Sequence, residues 1–351
     1  MINEARLESF VHQVVNDMAA SMSGVMTNIG HKLGLYKSMA GAGAITPQQL
    51  AQRTSTKERY VQEWLNNQVA GGYVIYNSEN RTYELPDEHA MVLANSESSV
   101  FLSPGFDLIS SMWLDEDKTI AAFETGKGIA WQEHHPRLFC SCEAFFRNGY
   151  QAYLTNAWIP ALEGVEAKLK AGGKVADIGC GHGASTIIMA QAFPNSTFFG
   201  FDYHFDSIAT ARLRAQAAGV ADRVHFEVAT AKNYPGKDYD LVCFMDCLHD
   251  MGDPVGAVKY TKETLTDNGT VLLVEPFAGK NIEDNINPIG RMYYAASTAI
   301  CTPNSLSQEV GLGLGAQAGE TKLSEVFSEA GFSQFRRATA TPFNLILEAR
   351  I

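Results

Sequence analysis

The sequence lacks four features that would place it in a special class of protein. Its 27 basic residues are outnumbered by 39 acidic ones, and the net charge of -12 opposes unspecific attraction to nucleic acid or anionic membranes. Its longest apolar runs, such as 241–245, are far too short to span a bilayer. Its six cysteines show no C-x-x-C spacing, so we expect no disulfide framework. The N-terminus has no basic flank before an apolar core, which predicts a cytoplasmic protein without a signal peptide.

The length of 351 residues and the 46% hydrophobic content are typical of a globular protein with about two domains. We expect three segments. Residues 1–95 are predicted to form a winged-helix or dimerisation domain, and residues 96–170 a helical connector that contributes to a ligand pocket. Residues 171–351 are predicted to form a cofactor-binding catalytic domain.

The first segment shows the order of elements of a winged helix. Thr46 is expected to cap a helix that has Pro47 at its first position, and GYVIYNSENRTYEL predicts a two-stranded ribbon that turns at 78–80. Between residues 46 and 85, four basic residues balance four acidic ones, whereas a DNA reader normally has a basic face. The charge balance favours an interaction or dimerisation role over DNA binding.

Strand and helix signals alternate from residue 174 onward, which predicts a parallel sheet with helices on both faces. The predicted strands are 174–178, 197–201, 224–228, 239–245 and 270–275. The final segment, GFSQFRRATATPFNLILEAR, predicts a hairpin with a Thr-Pro turn, which makes one strand of the sheet antiparallel. A plain dinucleotide-binding fold does not need this hairpin.

The stretch VADIGCGHGAS places three glycines between a predicted strand and a predicted helix. Glycines at 179, 181 and 183 let backbone N–H groups approach a ligand, but they do not distinguish NAD from another adenosine cofactor. Asp202 ends the next strand, where its carboxylate can accept both ribose hydroxyl protons or cap the following helix. Asp177, just before the glycines, suits a cationic ligand and would repel a pyrophosphate.

These motifs carry a resemblance to a known family. VADIGCGHG, the acid of GFDYH, the strand YDLVCFMD and the closing hairpin resemble the class I S-adenosylmethionine-dependent methyltransferases. CLHDMGDP at 247–254 is similar to the HD-x-x-D segment of the small-molecule O-methyltransferases, which also carry an N-terminal winged-helix dimerisation domain. The resemblance implies an α/β fold with a Rossmann-like seven-stranded sheet and a terminal antiparallel hairpin. It also implies S-adenosylmethionine as cofactor, a small-molecule methyl acceptor and a homodimer.

Carried over position by position, the resemblance implies a cofactor site. Its methionine end falls at the residues around Gly179, and the ribose falls at Asp202. Thr230 occupies the position where the family usually holds an acid for the adenine amino group, and the ring of Tyr203 can flank the adenine. The expected cofactor residues are Asp177, Gly179, Gly181, Gly183, Asp202, Tyr203, Thr230 and Asp246.

The resemblance also implies a catalytic set just beyond the strand 239–245. It assigns the general base to His249, and an imidazole with a pKa of about 6.5 can accept a proton from a hydroxyl or thiol. The alternative is a turn histidine that caps the next helix. Glu275 ends the fifth strand and can orient this imidazole, and Asp250 is either a third catalytic residue or structural.

Aromatic residues of the connector and an apolar insertion over 277–320 are expected to cover an acceptor pocket. Arg291 can pair with a substrate carboxylate or cap a helix. No metal site is expected, because further ligands at suitable spacing from His134 and His135 are missing. The expected substrate contacts are Trp131, His134, Phe146, Tyr150, Arg291 and Tyr294.

Two other functions remain open at this point. A winged-helix transcription regulator with a cofactor-sensing methyltransferase-like domain is opposed by the neutral charge of residues 46–85. An NAD-dependent oxidoreductase would leave Asp177 and the terminal hairpin without a role. The sequence does not identify the methyl acceptor, although a histidine base favours a hydroxyl or a thiol over an amine.

Overall fold

The computed structural model describes residues 1–351, and they form two compact units. The first unit comprises Met1–Ser110 and Ala144–Asn148, and the second comprises Ser111–Glu143 and Gly149–Ile351. None of the helices combines the length and the apolar character that crossing a membrane requires. The segments 1–95, 96–170 and 171–351 remain predictions from the sequence.

The first unit begins with a long helix and continues with shorter helices and a two-stranded ribbon. Its elements are α1 (Glu4–Lys32), α2 (Leu35–Met39), α3 (Pro47–Arg53), α4 (Glu58–Ala70), β1 (Ile75–Asn77), β2 (Thr82–Glu84), α5 (Asp87–Leu93) and α6 (Pro104–Leu114), which continues past Ser110. Thr46 caps α3 as predicted, because its side chain accepts a hydrogen bond from the backbone N–H of Gln49. The ribbon turns at the predicted residues, so the winged-helix prediction is confirmed.

Only the last turns of α1 are packed within the first unit. The indole Nε1 of Trp64 in α4 donates to the carbonyl of Met26 at 2.8 Å, and a Cβ on Gly30 would overlap the Trp64 ring. The buried residues of this 29-residue helix are Thr27, Asn28 and Gly30. The preceding turns of α1 therefore present their side chains to solvent.

The second unit contains most of the remaining helices and the main sheet. Its helices are α7 (Glu116–Thr125), α8 (Arg137–Gly149, of which 144–148 belong to the first unit), α9 (Ile159–Ala161), α10 (Val165–Ala171), α11 (Ala184–Ala192), α12 (Phe205–Ala217), α13 (Pro254–Thr264), α14 (Pro288–Ala296), α15 (Thr302–Leu306) and α16 (Gly319–Glu329). Its strands are β3 (Lys174–Ile178), β4 (Thr197–Asp202), β5 (Val224–Val228), β6 (Tyr239–Met245), β7 (Leu265–Pro276), β8 (Gln334–Ala340) and β9 (Asn344–Arg350). Two π-helical segments, Tyr150–Trp158 and Ser297–Cys301, interrupt the helical regions.

The seven strands form one sheet in the order β5-β4-β3-β6-β7-β9-β8. The strands β3 to β7 are parallel, and β9 runs antiparallel to both β7 and β8. The central strands β3 and β6 are buried except at Lys174 and Asp240, as their apolar runs predict for a parallel sheet covered on both faces. The predicted seven-stranded sheet with a terminal antiparallel hairpin is therefore confirmed.

One strand begins earlier than the sequence predicts. β7 starts at Leu265 and not at Thr270, because Leu265 already pairs with Tyr239 of β6. The next pair joins Leu241 to Thr270, so residues 266–269 form an irregular excursion between the two pairs. Residues 266–269 have the turn-like sequence TDNG, so the sequence pattern does not predict this first pair.

Candidate active site

The parallel strands place the predicted site residues at one edge of the sheet. The strand order reverses at β3 and β6, and ligands bind beyond the carboxyl ends of the strands at such a switch point. The glycine-rich loop follows β3, Asp202 ends β4, and His249 lies shortly after the end of β6. Glu275 is the penultimate residue of the neighbouring strand β7, directly before Pro276.

The glycine-rich loop is held against β4. The backbone N–H groups of Gly179 and Cys180 donate to the carbonyl of Phe201 at 2.8 and 3.1 Å. Gly183 has a φ of 79°, and a Cβ there would lie 2.5 Å from the Cζ atom of Phe226. Gly181 has a φ of 52°, but a Cβ there would meet no atom within 4 Å. Packing therefore requires the glycine at 183, whereas the glycine at 181 faces open space.

Asp202 fixes this loop through its carboxylate. Its Oδ2 accepts a hydrogen bond from the N–H of Gly181 at 2.9 Å, and its Oδ1 accepts one from the N–H of His204 at 2.8 Å. Burial raises the pKa of Asp202, and the two N–H donors oppose that shift. The alternative that Asp202 caps α12 is wrong, because the N-cap residue is His204.

Asp177 is fully buried beneath the loop. Its Oδ2 accepts hydrogen bonds from the hydroxyls of Ser185 and Thr186 in α11, both at 2.6 Å. Its Oδ1 is buried without a hydrogen-bond partner. Burial raises the pKa of this carboxyl group to about 6, against the effect of the two hydroxyl donors. Asp177 therefore anchors the start of α11 and keeps one acceptor atom available.

The three predicted catalytic residues lie together. An oxygen of the buried Glu275 carboxylate bonds the Nδ1 of His249, and the other oxygen accepts from the N–H groups of Leu248 and His249 at 3.1 and 3.3 Å. Asp250 Oδ1 lies 3.2 Å from the Nε2 of His249. Burial lowers the pKa of His249, but the Glu275 and Asp250 carboxylates outweigh burial and hold this pKa well above its usual value. The two carboxylates therefore favour the protonated form of this imidazole.

Asp246 connects β6 to two more distant segments. Its Oδ2 accepts a hydrogen bond from the hydroxyl of Tyr150 at 2.9 Å, and its Oδ1 accepts one from the amide of Asn344 at 2.8 Å. Burial and the nearby Glu275 raise the pKa of Asp246 to about 8. Its φ of 52° is rare for a residue with a side chain, and such strain clusters at functional sites.

The glycine-rich loop directly borders the segment that carries His249. Cys247 donates a hydrogen bond from its thiol to the carbonyl of Ile178 at 3.1 Å. A Cβ on Gly179 would lie 2.8 Å from the same sulfur. The predicted cofactor loop and the predicted catalytic segment thus touch within the second unit.

The remaining predicted residues have other surroundings. Trp131 lies 5.4 Å from Phe139 between ring centroids, and Phe139 lies 4.8 Å from His204. Buried His134 has its Nδ1 at 3.3 Å from Asp115 and its Nε2 without a hydrogen-bond partner. The ring contacts thus connect Trp131 through Phe139 to His204, which follows the end of β4.

Several predicted contact residues lie at the surface. Thr230 is exposed and binds Asn233, and Tyr203 is 43% exposed. Arg291 and Tyr294 are exposed on α14, where the helix buries Tyr293 instead. Phe146 belongs to the first unit. The proposed roles of these residues remain predictions.

Three residues near the catalytic set are not among the predicted site residues, although two of them, Tyr293 and Cys301, lie in the insertion expected to cover the pocket. Asn344 begins β9 and reaches Asp246, and the buried Tyr293 donates to the carbonyl of Phe343 at 2.8 Å. The thiol of Cys301, at the end of a π-helical segment, lies within 4.8 Å of donor atoms of His249 and Asp250. No local motif marks these positions, although π-helical segments frequently border functional sites.

Two family models match this chain. A methyltransferase domain model covers residues 169–331, and an Rv2258c-like winged helix-turn-helix domain model covers residues 21–95. The chain therefore combines a region that matches a methyltransferase domain with a region that matches a winged helix-turn-helix domain. The first match includes the glycine-rich loop and the catalytic segment, and the second includes the capped helix and the ribbon.

Known methyltransferases are similar to this chain over different lengths. The 27-O-demethylrifamycin SV methyltransferase of Amycolatopsis mediterranei is 35% identical over 107 residues, which are 30% of this chain and 39% of that protein. Human N-acetylserotonin methyltransferase, solved in complex with S-adenosylmethionine, is 18% identical with a TM-score of 0.68, over 97% of each chain. An O-methyltransferase from neocarzinostatin biosynthesis, solved with S-adenosylhomocysteine and 1,4-dihydroxy-2-naphthoic acid, is 17% identical with a TM-score of 0.65, over 97% and 98% of the chains.

These similarities differ in what they support. The chain spans less than half the length of the curated relatives it matches. The similarity to the solved structures covers nearly the whole chain, but at under 20% identity it shows a common fold and no more.

Proposed function

We propose that this protein transfers the methyl group of S-adenosylmethionine to a hydroxyl or thiol of a small molecule, with His249 as the general base. The observation that carries the proposal is the buried Glu275 and His249 pair next to the glycine-rich loop. Glu275 fixes the imidazole through Nδ1, so Nε2 is the nitrogen that can accept a proton. Related proteins named as O-methyltransferases support this class of reaction.

The loop and its neighbours fit S-adenosylmethionine. The open space at Gly181 admits a ligand against the backbone, and the Asp202 carboxylate lies beside that space as an acceptor for ribose hydroxyls. The unpartnered Oδ1 of Asp177 adds a buried negative atom below the loop, which suits a cation better than a pyrophosphate. When bound there, S-adenosylmethionine supplies a methyl group already activated by its sulfonium.

The chain itself has to hold and deprotonate the acceptor. His249 accepts the acceptor's proton at Nε2, and Glu275 stabilises the imidazolium that results. In the absence of an acceptor, Asp250 Oδ1 contacts the Nε2 of His249. The hydroxyl or thiol of the acceptor therefore displaces Asp250 from Nε2 when it binds. Asp246, Tyr150 and Asn344 form a fixed polar wall beside this position. Their role is to orient the acceptor and to exclude water.

A homodimer is part of this proposal, and α1 supplies the surface for it. Apolar side chains follow one face of the helix and are exposed over its whole length: Leu7, Phe10, Val11, Val14, Val15, Met18, Met22, Val25 and Ile29. Together they expose on the order of 900 Å², which matches the roughly 800 Å² that each partner buries in a standard interface. The same stripe on a second copy is complementary to it, as a two-fold interface requires. A cytoplasmic location also remains a prediction.

Calorimetry with S-adenosylmethionine, S-adenosylhomocysteine and NAD tests the cofactor. We expect the first two to bind and Asp202→Ala to weaken both at least about tenfold, or about 1.4 kcal/mol. Asp206→Ala removes an exposed acid four residues further on and should leave the affinity unchanged. Binding of NAD alone would contradict the proposal.

A methyl-transfer screen over phenols, hydroxy acids and thiols tests the base. We expect His249→Ala to lower kcat by about 10²- to 10⁴-fold, whereas exposed His225→Ala serves as the matched control. Wild-type rates in His249→Ala would show that this residue is not the base. Retardation of DNA at low salt without any methyl transfer would favour the regulator alternative.

A further inference from the structure

A cluster of three different donor atoms lies at the catalytic set. A ring nitrogen of His249, a carboxylate oxygen of Asp250 and the Sγ of Cys301 all lie within 4.8 Å of one another. His249 and Cys301 are buried, and Asp250 is only partly exposed. Imidazole, carboxylate and thiolate are the side-chain ligands that zinc uses in proteins. The site brings them together from the turn after β6 and from the π-helical segment before α15.

Neighbouring residues hold the imidazole of the cluster in place. Glu275 occupies Nδ1 of His249 and directs Nε2 towards the cluster, as carboxylates do behind metal-bound histidines. Asp250 Oδ1 is buried without a hydrogen-bond partner. Backbone N–H groups of Leu248 and His249 in turn hold Glu275, so the supporting residue is itself fixed.

The distances fit a small tetrahedral ion. Metal bonds of about 2.0–2.3 Å place neighbouring ligand atoms of a tetrahedral zinc site roughly 3.3–3.6 Å apart. The separation of His249 Nε2 and Asp250 Oδ1 is already 3.2 Å. Cys301 has to approach by no more than about 1.5 Å, which a rotation of its side chain provides. Calcium and magnesium are disfavoured because both prefer oxygen ligands alone.

We propose that His249, Asp250 and Cys301 bind one zinc ion or a similar thiophilic divalent cation, with a fourth position left open. On binding, the Cys301 thiol releases its proton to solvent, and the neutral imidazole coordinates the ion through Nε2. The thiolate thus offsets one of the ion's two positive charges. The proposal departs from the expectation from sequence spacing that the chain has no metal site. Spacing does not indicate this cluster, because Cys301 lies 51 residues beyond Asp250.

The consequence for activity is inhibition, and it rests on the proposed function. The ion occupies Nε2 of His249, which is the atom that would accept the acceptor's proton. Zinc therefore competes with proton transfer at a single nitrogen and gives this methyltransferase a reversible metal switch. Chelation with EDTA should restore the full rate.

Cobalt(II) is the probe for the site, because a thiolate ligand gives it a charge-transfer band that oxygen and nitrogen ligands do not. We expect the full-length protein to bind one equivalent of cobalt with this band and to release it to zinc. Cys301→Ser should abolish the band and weaken binding at least tenfold. Glu275→Gln, which keeps a carbonyl for the two N–H donors, should weaken binding about 10- to 100-fold and leave the band in place.

Cys140→Ser is the matched control, because Cys140 is an exposed thiol outside the cluster. Its band should equal that of the wild type. Absence of the band in the wild type overturns the proposal, as does its loss in Cys140→Ser or in Cys142→Ser with retention in Cys301→Ser. Circular dichroism melting of each variant distinguishes ligand loss from unfolding. Failure of cobalt binding leaves the methyl-transfer screen unaffected, so the two proposals are tested separately.

Discussion

The glycine-rich loop permits a prediction that separates packing from ligand binding. Gly181→Ala and Gly183→Ala make the same chemical change two residues apart, and both glycines have a positive φ. An alanine in this left-handed conformation costs about 1–2 kcal/mol at either position. At 183 the new methyl group also meets Phe226 at 2.5 Å and Ala211 at 3.0 Å, which adds about 1–3 kcal/mol of overpacking.

The two variants should therefore fail in different ways. We expect Gly183→Ala to lower the free energy of unfolding by about 2–5 kcal/mol and Gly181→Ala by about 1–2 kcal/mol. The methyl group at 181 projects into the open space beside Asp202, so Gly181→Ala should weaken S-adenosylhomocysteine binding at least tenfold. Gly219→Ala, with a φ of 67° and no atom within 4 Å, measures the backbone cost alone.

Urea unfolding followed by circular dichroism measures the first effect, and calorimetry with S-adenosylhomocysteine measures the second. Equal stabilities of Gly183→Ala and Gly219→Ala would refute the packing argument at Phe226. Unchanged ligand affinity in Gly181→Ala would refute the placement of the ligand against the loop. Either result can occur without the other, so the two arguments are tested independently.

Three further predictions concern other parts of the molecule. Burial raises the pKa of Asp177 from 3.8 to about 6. The protonated carboxyl group therefore contributes its full stabilisation below about pH 3.8, and this stabilisation is lost as the pH rises through about 6. Urea titrations should show this loss of about 3 kcal/mol in the wild type and not in Asp177→Asn; identical pH profiles would contradict it. Met18→Glu should convert a dimer to a monomer in light scattering, whereas Asn16→Glu on the opposite face should not. Glu275→Gln should lower kcat at least about tenfold with little change in ligand affinity, and an unchanged kcat would exclude a role in orienting His249.

Local patterns were enough to predict most of the second unit's sheet. The bounds of β3 and β6 follow from short apolar runs flanked by turn residues, because a strand buried on both faces is largely apolar. The bounds of β5 follow from its alternation of buried and exposed residues. The early start of β7 was not predictable, since Leu265 joins the sheet only through its pairing with Tyr239. Such a pairing depends on the partner strand, so the sequence around Leu265 alone does not predict it.

The sequence by itself determined the residues that follow the strand ends. Asp202, His249 and Glu275 could be found because parallel strands bring their carboxyl ends to one edge, whatever the packing of the rest. Only the tertiary structure decided which distant side chains join them. Asn344 and Cys301 lie far along the chain from His249, and α14 buries Tyr293 while it exposes Arg291 and Tyr294. The rotation of a helix and the path of a loop depend on the whole core, so no spacing rule predicts these contacts.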